Sequence, residues 1–181
     1  MTTLPQTERS PEERFVSFLH ALAAREDRGA LAALRRGLGR PPPAEMLRLV
    51  ERYVPEDRPW ARDWYYLTAA LFGLHPESGG RGNLGETFRQ LGDNESAQKR
   101  FVALLDSHAD DLPHRLRQAV GLARSKNAAI DWLQLLTDLL RWDSENRTVQ
   151  TRWARAYWKQ APSEEAGEPA PSDAVNAKKG V

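Results

Sequence analysis

The run DSHADD, residues 106–111, is where donor side chains crowd most closely in this chain. Asp106, His108, Asp110 and Asp111 supply oxygen and nitrogen donors of the kind a divalent cation takes. A hydrolytic metal centre needs more than this, with His or Glu converging from other helices and an open coordination position. His20, His75 and His114 stand in no comparable cluster, and no HExxH occurs. The run therefore reads as a polar loop whose acids favour the start of the helix after Pro113. SGGRGN, residues 78–83, lacks the spacing of a P-loop and a preceding strand, and there is no GxSxG elbow. The remaining carboxylates are expected on exposed helix faces as solvated charge. No catalytic residue, metal or cofactor is expected.

The chemistry that remains is cationic. Of 26 Lys and Arg, 21 are Arg, the side chain suited to planar, two-point contact with phosphate. In LRRGLGRPPP, residues 34–43, Arg35, Arg36 and Arg40 crowd the end of a helix that the prolines must stop. Arg28 begins the same helix. Arg81 sits in the glycine-rich loop, Arg100 opens a later helix, and Arg115, Arg117, Arg124 and Lys126 follow on another. Arg141 and Arg147 flank the last turn between helices. The net charge is only +1, yet residues 99–159 carry eleven Lys and Arg against seven Asp and Glu. A cation at a helix C-terminus gains roughly 0.3–1 kcal/mol from the macrodipole. That accounts for single positions better than for clusters in both halves. An Arg-lined groove would follow a nucleic-acid backbone without reading bases.

These arginines must be positioned by helices. Ser10-Pro11-Glu12-Glu13 is a capping box, followed by Phe15, Phe18, Leu19 and Leu22 on one stripe. Asp27 caps a second helix carrying Leu31 and Leu34. Met46, Leu47, Val50 and Tyr53 mark a third. Trp60, Trp64, Leu67 and Leu71 mark a fourth that ends at Gly73. HPESGGRGN, residues 75–83, is a loop and the expected boundary between two units. Asn83 caps a short helix, Asn94 or Ser96 the next, and another spans Leu112 to Arg124. Asp131 caps an apolar helix, and the last runs from about Asn146 to Trp158. The six tryptophans fall mostly on apolar stripes and are expected in the core or between bundles. No stretch alternates with period two. The expected fold is all-α: about nine helices in two small bundles, 10–78 and 82–160, and a disordered tail, 161–181.

Length and composition agree with this reading. The chain has 181 residues, is 40% hydrophobic and has no cysteine, which excludes disulfides and thiolate metal sites. It has no apolar run of membrane-spanning length and no signal-peptide pattern at its start. The cytoplasm is the expected location.

Seven segments in order resemble a known family: LRRG (34–37), YLTAALFGLHP (66–76), NLGETFRQL (83–91), RFVALLDS (100–107), LRQAVGLA (116–123), IDWLQLLTDLLRWD (130–143) and VQTRWARAYW (149–158). Together they are similar to Cse2, also called CasB, the small subunit of the type I-E CRISPR surveillance complex, Cascade. The resemblance covers about residues 12–160. It implies an all-helical, non-catalytic protein present as two copies, head to tail, beside the backbone and large subunits of the complex. It also implies contact with the CRISPR RNA–target DNA region and the displaced single strand, stabilising the R-loop. Guide pairing reads the sequence and the exchange is nearly balanced in energy, so backbone contacts suffice to tip it. The family's basic positions correspond to Arg35, Arg36, Arg62, Arg100, Arg117 and Arg147, with Arg81 in a loop of varying length. With Arg28 and Arg40 these form the expected nucleic-acid-binding set. The run 106–111 is acidic where some relatives are basic.

Two other classes remain at this point. A helical adaptor would set the arginines against acidic protein surfaces. A helix-turn-helix regulator would need NLGETFRQLG, residues 83–92, to hold an exposed recognition helix.

Overall fold

Five helix starts are fixed by side chains next to them in sequence. Ser10 accepts from the backbone N–H of Glu13, whose carboxylate accepts in return from Ser10 N–H, closing a capping box. Asp27 caps through Ala30 N–H, Asn83 through Gly85 N–H, Asn94 through Ser96 N–H and Asp131 through Gln134 N–H. The computed structural model describes residues 9–38, 41–92 and 94–159. Among the described residues there are nine α-helices: α1 Pro11–Ala24, α2 Arg28–Arg36, α3 Ala44–Val50, α4 Arg62–Leu74, α5 Leu84–Gln90, α6 Glu95–Leu105, α7 Leu112–Ser125, α8 Trp132–Leu139 and α9 Thr148–Tyr157. Short 3-10 turns at Glu51–Tyr53 and Pro59–Ala61 lead from α3 into α4. The fold is all-α. The expected tail, 161–181, lies outside the described residues.

The sequence RDWYYLTAALFGL is apolar almost all round, and such a helix has to be surrounded. α4 is indeed central: every residue from Tyr65 to Phe72 except Leu67 is buried. It packs on α2, α3, α7 and α8. α5 packs on α9, α6 on α7, and α1 on α8. The buried side chains of residues 15–72 and 84–153 form one continuous apolar cluster.

The segment 75–83 is a loop, and it is tightly held. His75 is buried and its Nε2 lies 2.8 Å from the carbonyl of Ala128, so this nitrogen carries the proton and donates. Trp132 Nε1 donates to the carbonyl of Glu77 at 2.9 Å. Gly80 lies so close to the Ile130–Asp131 peptide that a Cβ would overlap its backbone atoms.

Trp132, Trp142 and Trp153 are core residues, as expected. Trp60 and Trp158 are 57% and 49% exposed, contrary to the expectation for tryptophans. Trp60 belongs to the 3-10 turn before α4, ahead of the buried stripe. Trp158 follows the last turn of α9 and meets Tyr157 and Phe101 edge-on.

One buried side chain is badly matched to its place. The Nε2 of His20 is buried without a hydrogen-bond partner, with its ring 5.8 Å from that of Phe72. Burial lowers its pKa from the usual 6.5, and Asp131 only partly opposes this. As pH falls below 6.5 the unfolded chain therefore takes up a proton before the folded one does, and stability is lost. His20→Leu is expected to add about 1 kcal/mol at neutral pH, because no polar atom is stranded. It should also reduce the drop in Tm on going from neutral to mildly acidic buffer. Thermal melts in both buffers check this, and a variant that melts below the parent in both contradicts it.

Candidate nucleic-acid interface

α2 begins at Arg28 and ends at Arg35 and Arg36. Arg28, Leu31 and Arg35 follow the i, i+3, i+7 rule and share one face. Arg28 and Arg35 are two turns apart, about 10 Å along the axis. α2 can lie this close to the centre of the fold because Gly73 has no side chain. A Cβ there would stand 2.7 Å from Arg35 N and 2.8 Å from the Leu31 carbonyl. A cleft of about 290 Å³ results, with Arg28, Leu31 and Arg35 on one wall and Leu74, Pro76 and Arg124 opposite.

A larger groove of about 610 Å³ runs between α3, α4 and α7. It brings Arg62 and Arg117 together from the two halves of the chain. This groove is of mixed charge, because Asp63, Asp110 and His114 also line it. Arg62 is already engaged: it lies 3.1 Å from Glu51 and over the ring of Tyr66, 5.5 Å from its centre. The Tyr66 hydroxyl donates to the same carboxylate at 2.5 Å. Burial, then that hydrogen bond, push the Tyr66 pKa up to about 12.

The other expected positions are spread out. Arg36 is exposed and paired with Glu45 at 2.6 Å. Arg81 is exposed in the loop and Arg100 is exposed on α6, and neither lines the two clefts. Arg147 has a structural duty that the sequence did not reveal. It takes a left-handed backbone conformation, φ 47°, at the start of α9. Its guanidinium donates to the carbonyl of Leu105 and lies 3.8 Å from Asp106. Arg40 lies outside the described residues. Arg124, which closes the smaller cleft, was not among the expected site residues. It is far from Arg35 in sequence, so only the packing of α7 beside α4 and α2 brings the two together.

The expectation of exposed carboxylates fails at Asp138, which is fully buried in α8. It accepts from Trp153 Nε1 at 2.6 Å, Arg152 Nη2 at 2.6 Å and Gln134 Nε2 at 2.9 Å. These donors serve folding, since Asp138 joins α8 to α9. Among the described residues no group of three or more His, Cys, Asp or Glu comes together as a metal site, the run 106–111 included. The helix-turn-helix reading fails on burial. Leu84, Gly85, Thr87 and Phe88 of α5 are buried, and the helix packs against α9 with no free face for a DNA groove.

Comparison with known proteins agrees with this geometry. Residues 30–158 match the family model for the CRISPR-associated protein Cse2. The chain is 39% identical over 166 residues to a CRISPR-associated protein Cse2 from Thermus thermophilus, covering 86% of this chain and 95% of that one. The crystal structure of a Cse2-family protein from the same organism superposes with a TM-score of 0.73 at 38% identity, over 84% of this chain and all of that one. A chain solved in a CRISPR RNA-guided surveillance complex superposes with a TM-score of 0.69 at 28% identity, over 82% of this chain and 91% of that one. With its sequence matched over most of its length and its helices superposed, this chain belongs to the CRISPR-associated Cse2 family.

Proposed function

We propose that this chain is the small, non-catalytic subunit of a CRISPR RNA-guided DNA surveillance complex of the Cascade type. In this reading it binds nucleic-acid backbone without reading sequence and stabilises the R-loop. Its partners are the backbone and large subunits, a second copy of itself, the CRISPR RNA–target duplex and the displaced strand. One observation carries the reading. In a Cse2-family chain, Arg28, Arg35, Arg81, Arg100 and Arg117 are exposed and form no ion pair among the described residues. Guanidinium groups left without carboxylates are available for phosphate. R-loop exchange is near balance, so a few such contacts decide whether it holds. A helical adaptor remains the second reading, favoured by Trp60, which is exposed beside Leu140 and Arg141 and is of the type that anchors protein interfaces.

The double variant Arg35→Ala/Arg36→Ala tests the choice in the assembled complex. Arg36–Glu45 is an exposed pair worth little, so Tm should move by less than about 2 °C. Affinity for target DNA should fall, and the dependence of log K on log salt should become shallower by about one unit. Unchanged R-loop affinity across the salt series would sink the proposal at these residues, and weakened assembly with unchanged DNA affinity would favour the adaptor.

A further inference from the structure

The six ion pairs among the described residues take Arg36, Arg58, Arg62, Lys99, Arg147 and Arg152. Arg28, Arg35 and Arg124 are absent from that set, and all three line one cleft with no carboxylate in its wall. Three like charges around a small cleft repel one another, so a counter-charge is needed to offset them. Helix dipoles do not supply it. Arg35 and Arg124 sit in last turns, where a cation is favoured, but Arg28 is the first residue of α2, where the dipole opposes it. The rest of the wall is apolar, from Leu31, Leu74 and Pro76. Cations at the rim and an apolar floor suit a ligand with an anionic edge and a hydrophobic body.

We infer that the cleft between α2 and the end of α7 is a phosphodiester site for single-stranded nucleic acid, with Arg28, Arg35 and Arg124 on the phosphates and Leu31, Leu74 and Pro76 under the sugar or base. This rests on the nucleic-acid reading above and assigns it a particular site. Arg28 and Arg35, about 10 Å apart on one helical face, reach different phosphates of one strand. Arg124 closes from the opposite wall. A cleft of about 290 Å³ admits one nucleotide unit whose sugar and base can turn inward. A duplex holds its sugars and bases to its own stack, so it touches the rim only. The larger groove is a weaker candidate, because Asp63 and Asp110 face its two arginines and Glu51 already holds one of them.

The test is a salt titration of labelled oligothymidylate and of an unrelated duplex, run on the full chain and on the complex assembled with it. Arg28→Ala, Arg35→Ala and Arg124→Ala are each expected to weaken single-strand binding on the order of threefold to tenfold. Each should lower the salt slope by about 0.7. Arg124→Lys should recover the slope but only part of the affinity, because a point charge replaces a planar fork. Duplex binding should change less than single-strand binding. If the triple alanine variant binds the oligonucleotide as the parent does, and Arg62→Ala/Arg117→Ala abolishes binding instead, the cleft is overturned and the broader reading stands. Equal losses on both ligands overturn the assignment to a single strand. No binding by the parent, alone or assembled, overturns both.

Discussion

Asp138→Ala is expected to destabilise the protein by about 3 kcal/mol, a fall in Tm on the order of 10 °C. The carboxylate has no exposed surface and accepts three hydrogen bonds, two of them at 2.6 Å. Its removal leaves the indole N–H of the fully buried Trp153 without an acceptor, and a buried unpaired donor is costly. Arg152 limits the loss, because its half-exposed side chain can return to water. A double variant isolates the cause. Asp138→Ala/Trp153→Phe has no stranded indole, so it should fall short of the sum of the two single losses. Additive losses would mean that packing matters here and the hydrogen bond does not. The same residue sets a pH dependence. Burial raises the Asp138 pKa above the usual 3.8, with Trp153, Arg152 and Gln134 pulling the other way. Just above pH 3.8 the folded chain therefore holds a proton that the unfolded chain has released. Through that interval this residue's contribution falls as pH rises. Asp138→Asn should remove that component from the stability–pH curve.

Gly85→Ala carries the second large effect, again about 3 kcal/mol, at the upper end of ordinary overpacking. The added Cβ would overlap the Trp153 carbonyl oxygen and lie 2.8 Å from its carbon. Both are backbone atoms of α9, so rotation of a side chain cannot relieve the clash. α9 cannot easily withdraw either, since Trp153 is anchored to Asp138. The expected outcome is a large fall in denaturation midpoint. Gly121→Ala in α7 is the matched control. Nothing lies within 4 Å of its Cβ position, so it should gain about 0.5–1 kcal/mol from helix propensity. Equal midpoints for the two variants would refute the steric account.

What the sequence disclosed was local. Ser10, Asp27, Asn83, Asn94 and Asp131 cap helices because a short polar side chain reaches a backbone N–H two or three residues ahead, and such reach is visible in the spacing. The centrality of α4 was legible from its apolar composition. The spacing of Arg28, Leu31 and Arg35 was legible as a shared face. Long-range partners were not. Asp138 looks like any surface acid until α9 brings Trp153 and Arg152 to it. Gly85 looks like a flexible residue near a helix start until the carbonyl of Trp153 is placed against it. Arg124 joins Arg28 and Arg35 only because α7 packs beside α4. The sequence showed Arg147 as a charge, whereas its left-handed backbone and its bond to Leu105 make it a corner of the fold.

The glycine-rich stretch 75–83 looked like a hinge, yet His75, Trp132 and Gly80 fasten it to residues 128–131. Any spacing between arginines of the two halves is therefore set when the chain folds. A jointed protein closing on a strand would surrender motion at that moment and lose part of its affinity to ordering. This one has no such motion to surrender at the joint. Adaptation falls to the nucleic acid, which has to bend and splay to meet a rigid template.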